Sequence, residues 1–101
     1  MIEKKQVMKS KPVCKVTFKL SPEQVHNAKN VAIAGDFNSW NETSNPFKKA
    51  KDGSFSVTVE MQTGTEHQFR YLVDGKSWLN ESDADSTVTN SFGSENSVIK
   101  L

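Results

Sequence analysis

The chain has one cysteine, Cys14, so no intrachain disulfide can form and the fold must rest on its core. No apolar run approaches the roughly 20 residues needed to span a bilayer as a helix, so a membrane is not an expected partner. Charge of either sign is not in excess: 13 Lys and Arg stand against 12 Asp and Glu, for a net charge of +1. That is too little to grip a phosphate backbone, so nucleic acid is not an expected partner either. Met1-Ile2-Glu3-Lys4-Lys5 is followed by no apolar stretch and shows no secretory signal, which leads to an expected cytoplasmic location. Catalytic equipment is equally sparse. His26 and His67 stand far apart, no serine or cysteine carries a nucleophile motif, and no glycine-rich phosphate loop occurs. Glu81, Asp83 and Asp85 lie close in sequence but lack the glycine and terminal glutamate of a calcium loop, and they are expected in a solvated loop. No catalytic residue, metal site or cofactor is expected. Asn41-Glu42-Thr43 and Asn80-Glu81-Ser82 match the glycosylation pattern, and without a secretion signal they are read as chance matches.

What is present is alternation. At 101 residues, 35% hydrophobic and 25% charged, the chain is expected to form one globular domain. Residues 1–12 are lysine-rich with little apolar content and read as a flexible, solvated lead-in, leaving 13–101 as the domain. From Val13 to Leu20 one face carries Cys14, Val16, Phe18 and Leu20 and the other Lys15, Thr17 and Lys19. This marks a strand with one wet face and a buried thiol. Ser21-Pro22 has the look of a helix start, but too few apolar residues follow before Asn30, and the segment is expected to be a loop. Val31 to Ala34 and Pro46 to Ala50 read as short strands. Phe55, Val57, Val59 and Met61 alternate with polar residues, and Phe69, Tyr71 and Val73 alternate with Gln68, Arg70 and Leu72. Asp52-Gly53 and Asp74-Gly75 signal two-residue hairpin turns. Lys76 to Leu79 returns as a strand, Asn80 to Ser91 reads as a long polar loop, and Asn96 to Leu101 as a last strand. The expected fold is an all-β, immunoglobulin-like β-sandwich of about seven short antiparallel strands, without an inter-sheet disulfide.

The chain is organised around Ala34-Gly35-Asp36-Phe37-Asn38-Ser39-Trp40. An apolar strand breaks into residues that tolerate turn geometry, and the turn ends on a tryptophan in a polar neighbourhood. Trp78 also follows turn residues among polar neighbours. Arg70 lies on the opposite strand face from Phe69 and Tyr71, and Asn90, Ser94 and Asn96 flank Phe92-Gly93. Tryptophan faces with amide and guanidinium donors suit a pyranose, whose apolar C–H face lies on a ring while its hydroxyls seek hydrogen bonds. The spacing alone is equally compatible with tryptophans that cap one end of the sandwich.

Four stretches occur together in one order: Gly35 to Trp40, Asp52-Gly53-Ser54-Phe55, Gly64 to Gly75, and Asn90 to Asn96. With them the chain resembles carbohydrate-binding module family 48. That family includes the glycogen-binding domain of the AMP-activated protein kinase β subunit and the N-terminal modules of isoamylases and glycogen-branching enzymes. The resemblance runs from about Val31 to Leu101, with Val13–Leu20 fitting the first strand. It implies non-catalytic binding of α-1,4-linked glucan, glycogen or a malto-oligosaccharide. Trp40 and Trp78 would stack on glucose rings, Arg70 would stand where lysine is common, and Phe92 would stand where a leucine enters the glucan curve. Ser94 and Asn96 would complete the hydrogen bonding. Lys76-Ser77 puts one more residue before Trp78 than kinase-type domains usually have. The rival expectation is a protein-interaction module that docks on a glycogen-metabolising enzyme or regulator without touching sugar. The two differ in whether Trp40 and Trp78 lie exposed on one surface or are buried against the core. A module that brings such an enzyme to its polymer in trans combines them.

Overall fold

The structure, a computed structural model, describes residues 2–7, 12–91 and 93–101. It is a β-sandwich of two antiparallel sheets with no α-helix among the described residues. Nine strands occur among the described residues: β1 (Ile2–Val7), β2 (Val13–Leu20), β3 (Val31–Gly35), β4 (Lys48–Lys49), β5 (Phe55–Gln62), β6 (Glu66–Val73), β7 (Ser77–Leu79), β8 (Ser86–Thr89) and β9 (Glu95–Lys100). One sheet runs β1-β2-β5-β4 and the other β3-β6-β9-β8, with β7 also paired to β6.

The alternation of β2 sets the first sheet. Cys14, Val16, Phe18 and Leu20 are all buried, and they pair opposite Met61, Val59, Val57 and Phe55 of β5. A slip of one residue would turn Lys15 and Lys19 into the core, so the pattern itself fixes the register. From the second sheet Ile33, Phe69, Tyr71 and Ile99 face them. Phe18, Phe47, Phe69 and Tyr71 form the centre of the core. Their ring centroids lie 5.4–6.1 Å apart in tilted and edge-on pairs. Such pairs contribute about 0.5–1.5 kcal/mol each beyond area burial.

Strand β6 is the spine of the second sheet. Along one edge it pairs with β3, from Val31↔Val73 to Gly35↔Phe69. On its other edge the first half pairs with β9 and the second half with β7, so β7 continues the line of β9. The free edge of β3 is covered by the segment before β4. Ile33 N–H donates to the Asn45 carbonyl (3.1 Å) and Phe47 N–H to the Val31 carbonyl (2.8 Å) before the chain crosses to β5.

Several expectations change. Ile2–Val7, expected within a solvated lead-in, is an edge strand paired with β2 from Ile2↔Phe18 to Val7↔Cys14. Its exposed Lys5 suits an edge, where charge discourages further pairing. The Asp52-Gly53 turn is longer than two residues: Lys49 pairs with Phe55, Gly53 N–H donates to the Ala50 carbonyl, and Gly53 has φ 88°. At Asp74-Gly75, too, the turn is longer than two residues: Val73 pairs with Ser77, Asp74 and Gly75 both have positive φ, 52° and 66°, and Lys76 N–H donates to the Val73 carbonyl. Residues 21–30 are successive turns, opened by reciprocal bonds between Ser21 and Gln24, that still bury Val25 and Ala28. The polar stretch 80–91 contains β8, paired with β9 from Ser86↔Val98 to Thr89↔Glu95. It also contains Glu81, only 4% exposed rather than solvated. The Tyr71 hydroxyl donates to Glu81 Oε1 at 2.7 Å and Asp83 N–H to Oε2 at 2.8 Å. Ser97 Oγ accepts from Glu81 N–H and donates to Asn80 Oδ1. Burying a carboxyl is costly without hydrogen bonds, and here each of its oxygens accepts one.

Candidate functional site

The turn after β3 is built by its own side chains. A Cβ on Gly35 would strike the Gln68 carbonyl and come within 2.9 Å of the Phe69 Cβ, so glycine is needed for close approach to β6. Asp36 then fastens the turn to β6. Its Oδ2 accepts the Gln68 N–H at 3.0 Å and its Oδ1 lies 3.3 Å from His67 Nδ1. Asn38 occupies the inside, accepting from Gly35 N–H and donating to the Ile33 carbonyl and to Asn45 Oδ1. Ser39 and Trp40 both take positive φ, 55° and 58°, and Trp40 N–H closes on the Gly35 carbonyl at 2.8 Å. A bulky residue in that region costs on the order of 1–3 kcal/mol, sustained by the bonds that Asp36 and Asn38 make. The result is a tryptophan held at the surface, 36% exposed.

Trp78 arrives from β7. It pairs opposite Leu72, which lies on the outer face of β6 with Gln68 and Arg70, and it is 39% exposed. The Arg70 guanidinium lies over its ring, 5.0 Å from the centroid. At an exposed site such a contact contributes about 0.5–1 kcal/mol. Arg70 Nε is buried and has no hydrogen-bond partner among the described residues.

The two tryptophans line one groove of about 390 Å³ with Glu42, Gln68, Arg70, Asn90, Ser91 and Asn96. Of the six residues read from the sequence as a site, Trp40, Arg70, Trp78 and Asn96 therefore meet. Ser94 is not among the lining residues. It shapes the turn between β8 and β9, its N–H donating to Asn90 Oδ1 (3.2 Å) and its carbonyl accepting from Asn90 N–H (2.7 Å). Phe92 lies outside the described residues. Gln68, Glu42 and Ser91 are lining residues that the sequence reading leaves out, and Asn90, read there only beside Phe92-Gly93, joins them. Gln68 had a signal, since it stands two residues before Arg70 and must share its face. Glu42 and Ser91 are loop residues with no periodicity to place them.

The groove holds one arginine and one glutamate, and its other lining side chains are uncharged. It offers two aromatic faces, donors from Arg70 and the amides, and an acceptor carboxylate on Glu42. Such a surface suits a neutral polyhydroxylated ligand with an apolar face better than an anion. His67 lies elsewhere, almost buried between Asp36 and the Gln62 carbonyl, and Cys14 is buried in the core.

The family profile described as the glycogen recognition site of AMP-activated protein kinase matches residues 15–101, and the chain belongs to that family. Comparison with curated proteins found no match.

Proposed function

We propose that this protein binds α-1,4-linked glucan, without catalysis, in the groove on the outer face of the β3-β6-β9-β8 sheet. The observation that carries the reading is that Trp40, from the turn after β3, and Trp78, from β7, are both more than a third exposed and line one groove with Arg70. The rival interaction module calls for tryptophans buried against the core. Membership of a glycogen-recognition family supports the choice of sugar. Trp40 and Trp78 stack on successive glucose faces, each contributing on the order of 1 kcal/mol beyond area burial. Arg70 and the amide groups of the groove face the hydroxyls, and Ser94 holds the loop that carries Asn90 and Ser91. An open groove of this kind gives a Kd of roughly 10 μM to 1 mM, lowered by avidity on a branched polymer. By the same binding the module brings a glycogen-metabolising enzyme to its polymer in trans.

Native affinity electrophoresis with and without glycogen in the gel tests the reading. The wild type is expected to be retarded and Trp40→Ala to migrate freely while remaining folded. A folded Trp40→Ala that is still retarded rejects the platform, and a wild type that is not retarded rejects glucan binding.

A further inference from the structure

Three side-chain amides form a hydrogen-bonded chain at the groove, and its direction is fixed at one end by the backbone. Ser94 N–H donates to Asn90 Oδ1 at 3.2 Å, Asn90 Nδ2 donates to Asn96 Oδ1 at 3.1 Å, and Asn96 Nδ2 donates to Gln68 Oε1 at 3.2 Å. A backbone N–H can only donate, so Asn90 must turn its oxygen toward Ser94 and its nitrogen toward Asn96. Each amide then passes the same sense to the next. The chain ends on Gln68 with its oxygen occupied and its NH₂ as the terminal group, which has no partner among the described residues. Hydrogen bonds in series polarise one another, which sharpens the last donor. Gln68 is exposed and lines the groove, whereas Asn96 is only 6% exposed. Arg70, two residues along the same face, is a donor only.

The geometry points to Gln68 as the amide that reads the ligand: its Nε2 donates, beside Arg70, to an oxygen of the neutral sugar. Asn96 and Asn90 are positioning residues that act through it. This rests on the glucan reading above and moves the amide contact expected of Asn96 to a residue not previously assigned one. Adjacent donors from Gln68 and Arg70 select a ligand that turns paired oxygens toward the sheet, as the vicinal hydroxyls of glucose do.

The test is calorimetric titration of maltoheptaose into wild type, Gln68→Ala, Asn96→Ala, the double variant and Gln68→Glu, with thermal melting of each. Gln68→Ala is expected to weaken binding about fivefold to tenfold. Asn96→Ala is expected to weaken it less, and to add nothing in the Gln68→Ala background, which a direct contact or a general loss of structure would not produce. Gln68→Glu keeps an oxygen toward Asn96 but replaces the donor by an acceptor. It is expected to bind no better than Gln68→Ala while melting like wild type. Asn96→Asp still accepts from Asn90 but cannot donate to Gln68, and it takes the place of Asn96→Ala if that variant does not fold. Binding by Gln68→Ala and Gln68→Glu equal to wild type, with Trp40→Ala inactive, overturns the role of Gln68 and leaves glucan binding standing. Additive losses give Asn96 its own contact and overturn the relay. A wild type that does not bind maltoheptaose or glycogen removes both readings together.

Discussion

Two aromatic groups in this molecule use the same kind of side chain to opposite ends. Phe18, Phe47, Phe69 and Tyr71 meet between the sheets, each edge-on or tilted against another and almost wholly buried. Trp40 and Trp78 sit on the far side of the β3-β6-β9-β8 sheet, more than a third exposed. The inner group is held by packing, and none of its four residues takes a positive φ. The outer group is held by local devices: two successive residues at positive φ place Trp40, and the Arg70 guanidinium backs Trp78. Strand β6 connects the two groups, with Phe69 and Tyr71 pointing in and Gln68 and Arg70 pointing out. Stability and recognition are thus written on opposite faces of one strand, and substitutions should separate them.

The largest separation is expected between Phe18→Ala and Trp40→Ala. Deleting a buried phenylalanine ring costs about 3–5 kcal/mol. Trp40→Ala removes a half-exposed ring at a strained position, and its stability is expected to stay within about 1 kcal/mol of wild type. Urea unfolding of the two variants measures the difference, and comparable losses would erase the distinction drawn between the groups.

A smaller effect tests the inner group's one polar handle. Burial, and then the hydrogen bond to Glu81 and its charge, push the Tyr71 hydroxyl well above the usual tyrosine value of 10.0. A group raised in the folded state keeps its full contribution below the unfolded value and loses it as pH rises beyond. The protein is therefore expected to lose stability from about pH 10 upward. Tyr71→Phe flattens that slope while costing about 1–3 kcal/mol at neutral pH, since Glu81 loses a partner. An unchanged alkaline slope in Tyr71→Phe would show that the loss arises elsewhere.

The smallest effect concerns the turn that delivers Trp78. Asp74 Oδ1 accepts the N–H groups of Asn30 and Lys29, each at 2.9 Å, and these bonds hold its carboxyl below the usual range. Its contribution is present above the unfolded value of 3.8 and is lost as pH falls through the lowered folded one. Asp74→Asn, which keeps the positive φ accessible, is expected to flatten the acid limb of a pH–melting profile slightly. Glycogen retention at neutral pH is expected to stay as in wild type, and a loss there would mean that the turn positions Trp78 more tightly than β7 pairing alone.

Much of this architecture was legible along the chain because alternation is a local property. Strands β2, β5 and β6 could be read from which residues repeat every second position, and the β6–β7 turn from Asp74-Gly75. Strand β1 could not. Its run Ile2-Glu3-Lys4-Lys5-Gln6-Val7 has no apolar alternation and is held by the edge that β2 offers. Strand β8 was hidden for the same reason, its Ser and Thr residues gaining order from β9. Glu81 reads along the chain as one of several loop acids, and its partners Tyr71 and Ser97 come from strands distant in sequence.

The site divides along the same line. That Trp40 ends a tight turn, and that Arg70 faces away from Phe69 and Tyr71, follows from residue type and a period of two, which need no knowledge of the rest of the molecule. That Trp40, Trp78, Arg70 and Asn96 border one groove, and that an amide chain from Ser94 through Asn90 and Asn96 ends on Gln68, depends on strands distant in sequence becoming neighbours. Side-chain direction is set within a strand, whereas proximity is set by the pairing of β6 with β7 and β9.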